Sequence, residues 1–131
     1  MCINDSKSTS FSSSKHFLSL NKNIYWIVGG VPKKGDVFEI KNKNINNIKI
    51  YIFGKNKYFF EKKFKRKINF TKQKTIKDSL LKIIHDINFS GKDNNLILFS
   101  PSAASFDTFK NFEDRGKYFN KIFKKLKYGL Q

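Results

Sequence analysis

Apolar positions along this chain alternate between two rhythms. Near-continuous apolar runs occur at Ile24 to Val28 (IYWIV), Ile48 to Phe53 (IKIYIF) and Asn95 to Phe99 (NLILF). Closed respectively by Gly29-Gly30, Gly54 and Ser100-Pro101, they read as buried strands that end in turns. Between them the spacing becomes helical. Ile76, Leu80, Ile84 and Ile87 follow Thr75 at i, i+4, i+8 and i+11, and Phe119, Ile122, Phe123 and Leu126 mark one face of a terminal helix over about residues 111–127. Residues 10–20 (SFSSSKHFLSL) read as a helix after a Ser/Thr cap, and 55–65 as a helix with Phe60 and Phe64 as its core stripe. A short strand is expected at 67–70, a turn at 90–94, and a loop or frayed helix at 41–47. Strands separated by helices need crossover connections. The predicted fold class is therefore α/β, a three-layer Rossmann-like domain with a mostly parallel sheet flanked by helices. The chain's 131 residues fit a single domain spanning 1–131.

Composition narrows the function classes. No apolar run approaches the roughly 20 residues that span a bilayer, and the opening MCINDSKSTS has no basic flank before an apolar core, so a cytoplasmic protein without membrane or export is expected. The lone Cys2 allows no internal disulfide. His16 and His85 stand apart from any metal-spaced cluster and are read as helix-surface or core-edge residues. The net charge of +17 suggests a nucleic-acid partner, best placed on residues 55–74, which hold nine basic residues and one acid among aromatics. A compositional explanation competes and is preferred. Of the 27 basic residues 25 are Lys, and Lys, Asn, Ile and Phe supply 69 of the 131 positions, the bias of A/T-rich codons. Arg, which makes forked contacts to phosphate and guanine, is nearly missing.

In parallel α/β sheets ligands sit beyond the C-terminal ends of the strands. Three segments should meet there: the opening NDSKSTS, GGVPKKGD after the first long strand, and SPSAASFDTFKNF after the last. They bring compact cations (Lys7, Lys33), hydroxyls (Thr9, Ser105) and the first backbone N–H groups of the terminal helix, a set suited to an acidic ligand.

These three segments carry a close resemblance. NDSKSTS resembles an NDSKATN motif, GGVPKKGD a Gly-Gly turn with Lys three residues later, and SPSAASFDTFKNFEDRG a long SPACASFDMFKNFEDRG signature, all in the order found in the Mur ligase family, in its D-glutamate-adding branch. The resemblance covers essentially the whole chain. It implies the C-terminal, D-glutamate-binding domain of a three-domain, ATP-dependent amide-forming ligase of peptidoglycan precursor synthesis. By the same resemblance, Lys33 and Thr9 would contact the α-carboxylate of D-glutamate. Ser105 and Phe112 would hold its side-chain carboxylate, Phe112 through its backbone N–H. Asp5 and Lys7 would approach the nucleotide. Asp107, Asn111, Glu113 and Arg115 are expected as scaffold through caps, helix-dipole partners and interdomain pairs, and Phe106 and Phe109 as core. Small residues 102–104 would let backbone and substrate come close. Departures from the motif are Ser8 for Ala, Ser10 for Asn, and Ser102 in the small-residue segment.

The chain has no G-x-x-x-x-G-K-[ST] loop and no carboxylate and histidine set of the kind that holds Mg²⁺. The N-terminal UDP-binding and central ATP-binding domains of the family are therefore expected to be missing. ATP, Mg²⁺ and UDP-N-acetylmuramoyl-L-alanine would then bind the intact enzyme through those domains, with none of the cofactors bound by this chain alone. Met1-Cys2 stands directly before the Ile-Asn-Asp-Ser-Lys run, which suggests a fragment inactive by itself: either a split or truncated gene product, or a domain whose remainder is encoded in a separate polypeptide. A truncated non-catalytic relic and a small nucleic-acid-binding module are the alternatives.

Overall fold

The structure is a computed structural model that describes residues 1–39, 45–105 and 109–129. Five parallel strands form the main sheet: β1 (Cys2–Asn4), β2 (Asn23–Gly29), β4 (Ile48–Phe53), β5 (Asn69–Lys72) and β6 (Asn95–Phe99), in the order β1-β6-β2-β4-β5. A two-stranded antiparallel ribbon joins β3 (Val31–Pro32) to β7 (Ala103–Ala104). The helices are α1 (Phe11–Leu18), α2 (Lys57–Phe64), α3 (Ile76–Ser90) and α4 (Phe112–Gly129). This is the expected three-layer α/β arrangement.

The layering follows from strand periodicity. Along β2, Ile24, Trp26 and Val28 point to one face, where they pack with Phe11 and Leu18 of α1 and Phe60 and Phe64 of α2; Tyr25 and Ile27 point to the other, against Ile76, Leu80 and Ile83 of α3 and Phe119 and Ile122 of α4. Strands β4 and β6 alternate in the same way. That explains their unbroken apolar runs, since a strand covered on both faces has no solvent side. Each large side chain removed from water stabilises the fold by roughly 1.5 to 3 kcal/mol.

Local signals set the helix ends. The Thr75 hydroxyl accepts from the Asp78 N–H at 3.1 Å, and Gly91 closes α3 in the left-handed region (φ 64°). The strand expected at 67–70 runs instead from Asn69 to Lys72. After α2 the chain turns through Arg66 (φ 66°), and the Lys67 and Ile68 N–H groups remain bonded to the Phe64 carbonyl, which delays entry into the sheet. Ile45–Asn47 forms one 3-10 turn, while 41–44 lie outside the described residues, as do Phe106 and Asp107. His16 lies against the Phe17 ring and His85 against Phe89, both on helices. No helix among the described residues is long and apolar enough to cross a membrane.

Strand order places the site. After β2 the chain moves to β4 and then β5, whereas β6 returns on the opposite side of β2. The C-terminal ends of β2 and β6 are thus the sheet's topological switch point, the place where sheets of this kind take ligands.

Candidate functional site

Gly29-Gly30 and Ser100-Pro101 leave the sheet side by side, with the Gly29 N–H on the Pro101 carbonyl at 3.1 Å. The ribbon then pairs Val31 with Ala104 and Pro32 with Ala103, carrying the Lys33 turn alongside the 102–105 segment. Gly30 is required where they meet. Its φ is +123°, and a Cβ there would lie 2.4 Å from the Ala104 carbonyl and 3.2 Å from a guanidinium nitrogen of Arg115.

The opening loop is fastened to both neighbours. Ser10 begins α1 without a side-chain cap bond; the Phe11 N–H is capped instead by Asp36, across the Lys33 turn, at 2.9 Å. On the other side Arg115, 1% exposed, donates from Nε to Ser6 Oγ (3.1 Å) and from Nη2 to the Ser6 carbonyl (2.6 Å). Ser6 Oγ in turn donates to the carbonyl of Phe112 at 2.7 Å. Asn4 reaches Gly116 and Asn120 on α4 at 2.9 and 2.8 Å, and Gly116 leaves room for the Ser6 side chain. One buried guanidinium thus joins the opening loop to the start of α4 while lying against the Gly-Gly turn. Arg115 is scaffold as expected, through bonds inside the domain.

Beneath these loops is a dry cluster of hydroxyls. Ser14 of α1 contacts Ser8 Oγ (2.8 Å), Ser102 Oγ (2.7 Å) and Ser100 Oγ, and Ser100 donates to Asp5 at 2.8 Å. Trp26 Nε1 donates to the Ser100 carbonyl at 2.7 Å. The departures at Ser8 and Ser102 both fall in this cluster. Burial pushes the Asp5 carboxyl above its ordinary range, opposed by the Ser100 bond and by Lys7.

All six expected site residues lie along this edge. Lys7, Thr9 and Lys33 are exposed; Phe112 is the first residue of α4 and is 39% exposed. Ser105 is buried directly after β7, its carbonyl accepting from the Phe109 N–H at 2.8 Å, and Asp5 is buried with its carboxylate turned to Ser100. Asn111 caps α4 through its Oδ1, which accepts from the Asp114 N–H at 2.8 Å, and Phe109 packs partly buried against the α3–α4 face. The N–H groups of Phe112 and Glu113 belong to the first turn, which has no intrahelical acceptor. A cavity of about 270 Å³ opens beside Phe109, lined also by Phe53, Lys74 and Tyr118. Ser102 and Ala103 are buried packing positions, Ser102 at φ 59°. Reading the sequence missed Asp36, Ser14 and Ser100. Arg115 did carry a signal: in a chain that meets nearly every need for a cation with Lys, it is one of two arginines.

Exposed Lys7 and Lys33 over a hydrogen-bonded floor of serines and Asp5 make an edge suited to an anion. No family model matches the chain, but curated relatives do. One from Wolbachia sp. subsp. Brugia malayi, named UDP-N-acetylmuramoylalanine--D-glutamate ligase, is 34% identical over 125 residues, covering 95% of this chain and 25% of the relative. Enzymes of the same name from Rickettsia felis (35% over 122 residues; 93% and 27%) and Mesorhizobium japonicum (32% over 117 residues; 89% and 25%) are similar. The chain spans about a quarter of the length of these relatives, and over that span it is similar to them along nearly its whole length.

Proposed function

We propose that the chain is the C-terminal domain of a D-glutamate-adding ligase of peptidoglycan precursor synthesis, working in the cytoplasm, and that its task is to hold D-glutamate. The observation that carries this reading is the convergence of the three motif segments on one sheet edge, with Lys7 and Lys33 exposed above the buried serine cluster. Lys33 and Thr9 would take the α-carboxylate. Ser105 and the Phe112 N–H would take the side-chain carboxylate, leaving the amine as the one unheld polar group of the substrate.

In the complete ligase, the carboxylate of UDP-N-acetylmuramoyl-L-alanine would be activated by ATP, and the amine of D-glutamate would attack the activated carbon. Fixing both carboxylates aims that amine, which turns an encounter into an oriented attack. Lys7, on the outer side of the opening loop, would approach the nucleotide. Asp5 would serve the same approach from below by holding the loop. Among the described residues no group of three or more His, Cys, Asp or Glu could hold a metal. ATP, Mg²⁺ and the UDP-linked substrate would be bound by the rest of the enzyme, in the same or a separate polypeptide.

The test is a chimera in which this chain replaces the matching quarter of a relative. Lys33→Ala, at an exposed position, is expected to raise the KM for D-glutamate by about 10- to 100-fold, the loss of one charge-assisted bond, with the KM for ATP little changed. Equal effects on both would remove Lys33 from the D-glutamate site.

A further inference from the structure

The hydroxyl cluster under the edge has a direction. A serine hydroxyl has one proton to donate and two lone pairs to accept with. An ionised Asp5 only accepts, so Ser100 spends its proton on the Asp5 carboxylate at 2.8 Å. Ser14 must then donate to Ser100 Oγ. With its own proton committed, Ser14 accepts from Ser8 at 2.8 Å and from Ser102 at 2.7 Å, and Ser8 Oγ also accepts the backbone N–H of Ser102 at 3.2 Å. All four serines are no more than 1% exposed, so water does not compete for these bonds.

The protons therefore run from Ser8 and Ser102, through Ser14 and Ser100, to one carboxylate. Three separate segments are tied by this relay: the opening loop (Asp5, Ser8), the segment after β6 (Ser100, Ser102), and α1, anchored in the core by Phe11 and Leu18. The charged groups facing it are Lys7 on the same loop and Arg115 from α4, which binds the Ser6 and Ser8 carbonyls.

We propose that Ser14 is a positioning residue that locks the loop bearing Lys7 and Thr9 to the segment bearing Ser105, by collecting the protons of Ser8 and Ser102 and passing its own through Ser100 to Asp5. Its effect on ligand binding rests on the D-glutamate reading. The relay itself does not.

The experiment uses the 131-residue chain, with D-glutamate as probe in an NMR titration, the Asp5 carboxyl carbon followed against pH, and amide exchange read at Ser102. Ser14→Ala is expected to weaken D-glutamate binding about tenfold, to move the Asp5 midpoint upward, and to lower Ser102 amide protection about tenfold, the scale of one lost buried hydrogen bond. Ser14→Thr, which keeps the hydroxyl, restores all three toward wild type. Ser79→Ala is the control, since Ser79 is equally buried, on α3, and donates to Gln73. It is expected to lower stability and leave the three readouts unmoved. If Ser14→Ala does not fold, Ser8→Ala removes one arm: the Asp5 midpoint should move upward by less, while Ser102 amide protection, whose acceptor is Ser8 Oγ, should fall at least as far. An Asp5 midpoint and Ser102 protection that stay at wild-type values, or that Ser79→Ala moves equally, overturn the relay. If wild type shows no response to D-glutamate while Asp5 and Ser102 still respond to Ser14→Ala, the ligand reading falls and the relay stands.

Discussion

At the N-terminal end of the sheet, Asp86 gathers Tyr51 Oη at 2.7 Å, Lys49 at 3.1 Å, Lys82 at 3.2 Å and His85 at 3.4 Å onto one carboxylate. At the C-terminal end Asp5 has one hydroxyl donor, Ser100, with neutral serines behind it. The two carboxyls shift in opposite directions. Burial pushes Asp86 upward, but the Tyr51 bond, followed by Lys49, Lys82 and His85, outweighs it and holds the group well below the usual carboxylate range. For Asp5 burial prevails. The difference teaches how a lysine-rich chain keeps cations available. Lysines at the far end are used up in ion pairs, whereas the loops at the near end are fastened by hydroxyls, amides and one buried guanidinium. No ion pair among the described residues engages Lys7 or Lys33.

The largest effect should come from removing the guanidinium that fastens the near end. Arg115→Ala leaves the Ser6 oxygens without their donors in a dry site, and a loss of about 3 to 5 kcal/mol in urea unfolding is expected. A loss below about 1 kcal/mol would show that the loops hold together without it. Gly30→Ala comes next, at about 2 to 3 kcal/mol, because strain at positive φ adds to a clash with the Ala104 backbone. Gly35→Ala sharpens this case. Gly35 also has positive φ (+78°), but a Cβ added there would meet nothing within 4 Å, so about 1 kcal/mol is expected. Equal losses at the two glycines would refute the close approach of ribbon and turn.

Asp86→Asn probes the far end. A carboxyl held below its ordinary pKa contributes stability that is present above that ordinary value and is lost as pH falls through it toward the folded value. The variant should therefore be about 1 to 3 kcal/mol less stable than wild type at pH 7, and the gap should close in acid, with D-glutamate binding unchanged. Asp5 has the opposite sign. Its raised carboxyl contributes most below the ordinary value and loses that contribution as pH rises through the folded one, so Asp5→Asn should remove a slope of the other sense. Stability profiles with the same slope for both variants would break the contrast between the ends.

Elements with a long period were legible in the sequence. Strands β2, β4 and β6 and helices α3 and α4 each repeat their pattern often enough to define a face. Strands β1, β3 and β7 are two or three residues long and have no period to read; their pairing depends on β6 and on each other. The same limit governs the site. Lys7, Thr9, Lys33, Ser105 and Phe112 stood out through contiguous motifs, but the fasteners join positions far apart in sequence: Arg115 to Ser6 over 109 residues, Ser14 to Ser102 over 88 and Asp36 to Phe11 over 25. A serine in a serine-rich helix carries no local mark of its burial. It acquires one only when the strands fix which loops cross above it.

The most direct test of the central claim is a titration of the 131-residue chain with D-glutamate, followed by backbone amide shifts, with L-glutamate in parallel. The account predicts saturable shifts centred on Thr9, Lys33, Ser105 and Phe112, stronger for the D enantiomer and absent around Asp86. Shifts that do not saturate, that are equal for both enantiomers, or that spread over the lysine-rich surface of α2 would contradict it.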